Sequence, residues 1–191
     1  MDLILASGSP RRRELLQRAG FEFRVLTSDA DERYSAQLQP LEVAPFLARQ
    51  KARAVAATLT AEQLEHSVLV GADTIVALDG VIYGKPADDA DARRMLGELS
   101  GRTHQVITGV CIIAGGQEQC LAELTDVSFR SLDEDEIAAY VASGEPLDKA
   151  GAYGIQGHGA LLIKGIEGDY YSVMGLPVAP LYTILRDIHA V

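Results

Sequence analysis

Arg11, Arg12, Lys51 and Lys85 are cations, and Glu32 and Asp73 carboxylates, residue types that could act on a chain of phosphates. Breaking a phosphoanhydride needs cations to offset phosphate charge, a metal to bridge the phosphates, and a carboxylate to position or deprotonate water. The strongest cue is Leu5 to Leu16, where an apolar strand enters the turn Ser7-Gly8-Ser9 and a helix begins Pro10-Arg11-Arg12-Arg13. Ser9 suits the N-cap and Pro10 the first helical position, so free N–H groups and the positive helix end face outward beside three guanidinium groups. Gly8 lets a bulky anion come close to the backbone. Asp73 interrupts the apolar run Val68 to Leu78, and a carboxylate there is costly unless paired, metal-bound or open to a cleft. It is the best candidate base, and Glu32 its best partner on a metal. Which of the two binds metal and which activates water is open at the level of sequence.

These residues need a frame. Leu3 to Ala6 reads as a buried strand, Arg11 to Ala19 as a helix stopped by Gly20, and Phe21 to Leu26 as a second strand. The acidic stretch Ser28 to Glu32 follows, as either a solvated linker or the source of a metal-binding carboxylate. A helix is expected from about Pro45 to Leu59, with Pro45 in its first turn. Leu47, Lys51 and Val55 share one face of it, so Lys51 lies in the apolar stripe and either snorkels outward or points its ammonium into a cleft. Val68 to Leu78 is a strand covered on both faces, Asp79-Gly80 a hairpin turn, and the return strand ends at Gly84-Lys85-Pro86. A helix over Asp88 to Leu99 comes next, then strands over Gln105 to Ile113 and Leu121 to Phe129 joined at Gly115-Gly116. Ser131 and Glu134 form a capping box for a helix ending near Ser143. Glu145 to Gly159 is too rich in glycine for a helix and carries Asp148, Lys149, Tyr153 and Gln156, so it reads as an ordered functional loop. A strand over Leu161 to Ile166 and a helix over Pro180 to Ile188 close the chain. Without repeats or a linker, residues 1–191 read as a single mixed α/β domain with one long sheet flanked by helices.

The composition narrows the partners. A net charge of −10 excludes a general nucleic-acid or acidic-membrane binder, so an anionic substrate needs a locally positive pocket. No signal-peptide pattern and no apolar run of about 18 residues is present, which points to the cytoplasm. Cys111 and Cys120 have no metal-ligand spacing. The Gly115-Gly116 turn sets them opposite one another, yet in a reducing cytosol they read as free structural thiols. His66, His104, His158 and His189 are scattered, with no ligand spacing.

In order and spacing, the motifs resemble the Maf family of septum-formation-inhibitor-like nucleoside triphosphate pyrophosphatases. The resemblance covers Ser7-Gly8-Ser9-Pro10-Arg11-Arg12, Asp31-Glu32, Lys51-Ala52, Gly71-Ala72-Asp73-Thr74, Gly84-Lys85-Pro86 and Ser100-Gly101-Arg102-Thr103-His104. It continues through Asp148 to Gly157, Gly168-Asp169-Tyr170-Tyr171 and Gly175-Leu176-Pro177. It implies an elongated α/β fold like that of inosine triphosphatase, with a cleft between two lobes, in a homodimer. The implied reaction is metal-dependent hydrolysis of nucleoside triphosphates to monophosphate and pyrophosphate with Mg²⁺ or Mn²⁺. Ser9, Arg11, Arg12, Lys51 and Lys85 would bind phosphate, and Glu32 and Asp73 the metal. The run from Asp148 to Gly157 is similar to the subgroup acting on dTTP and UTP, with specificity positions at Arg11, Thr74 and Gln156. The Gln156 amide has both donor and acceptor for a pyrimidine edge. The uses implied are cleaning of nucleotide pools and control of division. The alternatives are a relative acting on 7-methyl-GTP or modified purines, and a non-enzymatic nucleotide sensor of septum formation.

Overall fold

The computed structural model describes residues 1–27 and 29–190; Ser28, in the acidic stretch, and Val191 lie outside the described residues. The elements in order are β1 (Asp2–Ala6), α1 (Pro10–Arg18), β2 (Arg24–Val25), α2 (Pro40–Ala56), α3 (Ala61–Glu65), β3 (Ser67–Leu78) and β4 (Val81–Tyr83). They continue with α4 (Asp89–Leu99), β5 (Thr103–Ala114), β6 (Gln117–Phe129), α5 (Glu134–Ala142), β7 (Ile163–Glu167), α6 (Tyr170–Met174) and α7 (Val178–Asp187). Among the described residues the strands form one seven-stranded mixed sheet in the order β2-β1-β3-β5-β6-β7, with β4 on β3. β1 pairs in parallel with β2 and β3, whereas β4 and β7 pair antiparallel with β3 and β6. The expected mixed α/β architecture with helices flanking one sheet is the one observed.

The chain divides into two compact units. The first comprises Met1–Asp73, Thr108–Glu123 and Gly175 onward, and the second Thr74–Ile107 and Leu124–Met174. In the first unit Ile4, Ala6, Leu69, Cys111 and Ile113 pack with Ala48, Ala52 and Val55 of α2. α2 lies close to the strands because glycines face it. A Cβ on Gly71 would strike the Ala48 carbonyl and Ala52, and one on Gly109 would strike the backbone at Ala44 and Pro45. Arg53 near the end of α2 reaches Glu118 with Nε–Oε1 at 2.7 Å. In the second unit Met95, Leu96 and Leu99 of α4 pack with Val127, Phe129, Tyr140 and Tyr153.

Several boundaries differ from those expected. α2 begins at Pro40, capped through Gln39 and Glu42, so Pro45 lies inside the helix rather than in its first turn. Both prolines satisfy the local rule, and the reciprocal Gln39–Glu42 bonds select the earlier start. The second strand contracts to Arg24–Val25, bridged by Arg24 to Asp2. α5 is capped by Asp133 with Glu136 rather than by Ser131 with Glu134, and Glu136 also receives the Arg130 guanidinium at 2.7 Å. The loop after α5 contains 3-10 turns at Glu145–Asp148, Ala150–Ala152 and Gly157–Leu162, so β7 starts later than expected, at Ile163. The short helices α3 and α6 were not expected. Cys111 and Cys120 are joined in a disulfide, not free: the tight turn sets them opposite one another with Cα atoms 4.1 Å apart.

Candidate active site

α1 is built as its sequence requires. The Ser9 hydroxyl accepts from the Arg12 N–H, and Pro10 fills the first helical position. The three arginines then part company. Arg13 is exposed and Arg11 half-buried, while Arg12 is buried rather than facing outward. Its Nε donates to the Gly175 carbonyl at 2.7 Å and its Nη1 to the Ser7 hydroxyl at 3.1 Å. Ser7 also accepts from the Ser9 N–H at 3.3 Å, so one hydroxyl ties the turn before α1 to the guanidinium after it. Burial pulls the Arg12 pKa downward, the Asp73 carboxylate opposes that, Arg11 adds to it and Glu32 opposes it. A fixed positive charge thus lies in the field of both carboxylates.

Asp73 and Thr74 are the half-buried pair in an otherwise buried strand. The neighbour that relieves Asp73 is Lys51 of α2, whose ammonium donates to Asp73 Oδ1 and lies 3.0 Å from Glu32 Oε1. Side-chain exposure falls from Glu32 (66%) through Lys51 (20%) to Asp73 (13%), so the cluster runs from solvent inward. Lys51 therefore neither snorkels freely nor stands alone, but is clamped between two carboxylates. Next to Glu32, Asp31 accepts from the Arg33 N–H and guanidinium, and its pKa is held down to about 2, mainly by those hydrogen bonds.

The donor set bears on the metal. Glu32 and Asp73 both meet the Lys51 ammonium, so the two carboxylates face one point. Among the described residues no group of three or more His, Cys, Asp or Glu side chains could hold one. Two carboxylates fit Mg²⁺, which commonly takes one or two of them and completes its shell with water and substrate phosphate.

The remaining candidates lie in the second unit. Lys85 is exposed, Thr74 and Gln156 half-buried. The Gly84 carbonyl accepts from the Gly151 N–H at 3.0 Å, which ties the lysine's segment to the glycine-rich loop. Gly151 occupies the left-handed region at φ 68° and faces Val76 closely. In unit one the structure brings together Ser9, Arg12, Glu32, Lys51 and Asp73; in unit two it links the segments of Lys85 and Gln156. Ser7 went unassigned in the sequence, although its two-residue spacing from the Ser9 cap is the usual span of a hydroxyl-closed turn. Tyr153, expected among the residues of a functional loop, is buried against His104, and Glu145 holds the loop's other side; the sequence assigns no role to His104 or Glu145.

Within the mixed α/β frame, Arg12 of α1 thus lies in the field of Asp73 of β3 and of Glu32 in the loop before α2, with Lys51 of α2 between the two carboxylates. Residues 2–188 match the family described as Maf-like protein, and the chain belongs to that family. A dTTP/UTP pyrophosphatase of Bacillus cereus strain AH820 is 49% identical over 187 residues, 98% of this chain and 95% of that protein. The protein of the same name from Bacillus thuringiensis subsp. konkukian has the same identity and coverage. That of Bacillus cytotoxicus is 50% identical over 184 residues, covering 96% and 94%. Among solved structures the Staphylococcus aureus Ham1 protein aligns with a TM-score of 0.48 at 15% identity, over 68% of this chain and 72% of that one.

Proposed function

We propose that this protein hydrolyses nucleoside triphosphates, dTTP and UTP foremost, to the monophosphate and pyrophosphate. The observation that carries the reading is the Glu32–Lys51–Asp73 cluster with buried Arg12 in its field. The named activity of relatives sharing half their residues with this chain selects the substrate class.

Water attacks phosphorus at the α–β anhydride, the bridging bond breaks toward pyrophosphate, and the water proton passes to a carboxylate, for which Asp73 is the candidate. Its strand is buried, so the carboxylate keeps a fixed direction, and Lys51 holds it by the ammonium. Lys51, Lys85, Arg11 and Arg12 offset phosphate charge, and Ser9 offers the capped start of α1 to the chain's negative end. Glu32 and Asp73 would hold a divalent cation, Mg²⁺ or Mn²⁺, which when bound would supply further positive charge against the phosphates. Gln156, with Arg11 and Thr74, is assigned to the base: the phosphates are common to every nucleotide, so discrimination falls to groups that meet the ring. The reading extends to a cytoplasmic homodimer. The homodimer is what the family resemblance implies; no helix among the described residues is long and apolar enough to cross a membrane.

The test is a panel of dTTP, UTP, CTP, GTP and ATP with Mg²⁺ or Mn²⁺, scoring pyrophosphate separately from orthophosphate. Pyrophosphate with dTMP or UMP is expected. Orthophosphate with a diphosphate would place cleavage at the terminal anhydride and overturn the reading.

A further inference from the structure

The loop that carries Gln156 is fastened on both sides of it. On the upstream side the Tyr153 ring is buried, with edge contacts to Phe129 (centroids 4.7 Å) and His104 (5.3 Å), and its hydroxyl lies 2.7 Å from His104 Nε2. The next residue, Gly154, donates its N–H to the Tyr140 hydroxyl at 3.2 Å. On the downstream side the Glu145 carboxylate accepts from the N–H of His158 at 3.1 Å and of Gly159 at 3.5 Å. Gln156 stands between, extended, before the left-handed Gly157.

His104 is an unusual choice for the upstream fastening. It is 1% exposed, packed against aromatic rings, and its Nδ1 has no hydrogen-bond partner among the described residues. A phenylalanine or leucine could fill comparable space without stranding a polar nitrogen, so the imidazole is a costly way to pack a core. What it adds over an apolar residue is one directional bond, to Tyr153. Desolvation keeps the ring neutral by pulling its pKa down to about 4, so a single N–H or O–H is shared between the two side chains. Burial likewise drives the Tyr153 hydroxyl upward and keeps it protonated. Such a bond contributes placement more than stability.

We propose that His104 is a positioning residue for base recognition: through its hydrogen bond to the Tyr153 hydroxyl it sets the register of Gly154 to Gly157, and with it the direction in which Gln156 presents its amide. The inference rests on the base-reading role proposed for Gln156.

The measurement is the ratio of kcat/KM for dTTP to that for GTP in Tyr153→Phe, which keeps the ring and loses the hydroxyl, and in His104→Phe and His104→Gln. Tyr153→Phe and His104→Phe should lower the ratio by about tenfold, with pyrophosphate release from GTP held near the wild-type rate. His104→Gln, whose side-chain amide can stand in for Nε2, should restore most of the ratio. A purely structural role predicts instead that all substrates fall together and that the glutamine gives no rescue; either result overturns the inference. Gln156→Ala, measured in parallel, separates the two levels. If it leaves the ratio unchanged, base reading by this loop is wrong and the positioning role falls with it. If it collapses the ratio while Tyr153→Phe and His104→Phe do not, base reading stands and the positioning role alone is refuted.

Discussion

Lys51 is shared between two carboxylates of unequal burial, and that asymmetry has a measurable consequence. Lys51→Met keeps the apolar stem in the stripe with Leu47 and Val55 but removes the ammonium. Asp73, with its side chain only 13% exposed, then loses its direct partner and keeps only the more distant field of Arg12. Breaking a fully buried pair costs about 3–5 kcal/mol, and an exposed pair contributes about 0.2–1 kcal/mol. Exposures of 13% and 20% place this loss between those limits, at about 1–3 kcal/mol. The centre of that range lowers the melting temperature by roughly 4–8 °C for a chain of this length. Asp73→Asn should cost less than about 1 kcal/mol, because the ammonium keeps Glu32 at 3.0 Å and the amide keeps an acceptor. Lys51→Met/Asp73→Asn should therefore be more stable than Lys51→Met alone, since the stranded charge is gone. Urea unfolding followed by circular dichroism on the four proteins of the cycle gives the coupling directly. Turnover separates from stability: Asp73→Asn should lose about 10²- to 10⁴-fold in kcat, the usual cost of removing a general base. Additive stabilities, or an Asp73→Asn variant less stable than Lys51→Met, would refute the reasoning.

Gln156→Ala should lower kcat/KM for dTTP and UTP about ten- to a hundredfold relative to GTP and ATP, whereas Lys85→Ala should weaken all four alike; equal factors for both variants would remove the loop from base recognition. Stability should also depend on His104, which is neutral in the fold with its pKa held near 4 by desolvation, below the 6.5 of the unfolded chain. Its contribution is complete above pH 6.5 and is lost as pH falls from 6.5 to 4, by about 3 kcal/mol, so His104→Gln should flatten that limb of the stability–pH curve. Gly71→Ala should cost activity more than a surface Gly→Ala change does, because the new methyl meets the Ala48 carbonyl and shifts the helix that carries Lys51. Parallel kcat measurements on Gly71→Ala and Gly97→Ala, the latter facing open space on α4, check this.

What was legible in the sequence was local. Ser9 before Pro10 specifies the start of α1, Asp79-Gly80 specifies the turn between β3 and β4, and an aspartate inside an apolar run announces a carboxylate that needs a partner. What was not legible was which partner each group takes, since that is settled by contacts distant in sequence. Arg12 reads as one of three equivalent surface arginines until its Nε meets the carbonyl of Gly175, 163 residues away. His104 reads as a scattered histidine until Tyr153, 49 residues on, supplies its one bond. The capping of α5 failed for the opposite reason: Ser131 with Glu134 and Asp133 with Glu136 are overlapping boxes of equal local merit, and the bond from Arg130 to Glu136 favours the second. Gly71 joins the two scales. It has no side chain and no chemistry, yet by admitting the Ala48 carbonyl and Ala52 it brings α2 against β3 at the level where Lys51 meets Asp73. Within Gly71-Ala72-Asp73-Thr74 the glycine thus sets the separation of helix and strand, and the aspartate two residues later uses it, so the spacing inside the motif is as much a requirement of the ion pair as the charges are.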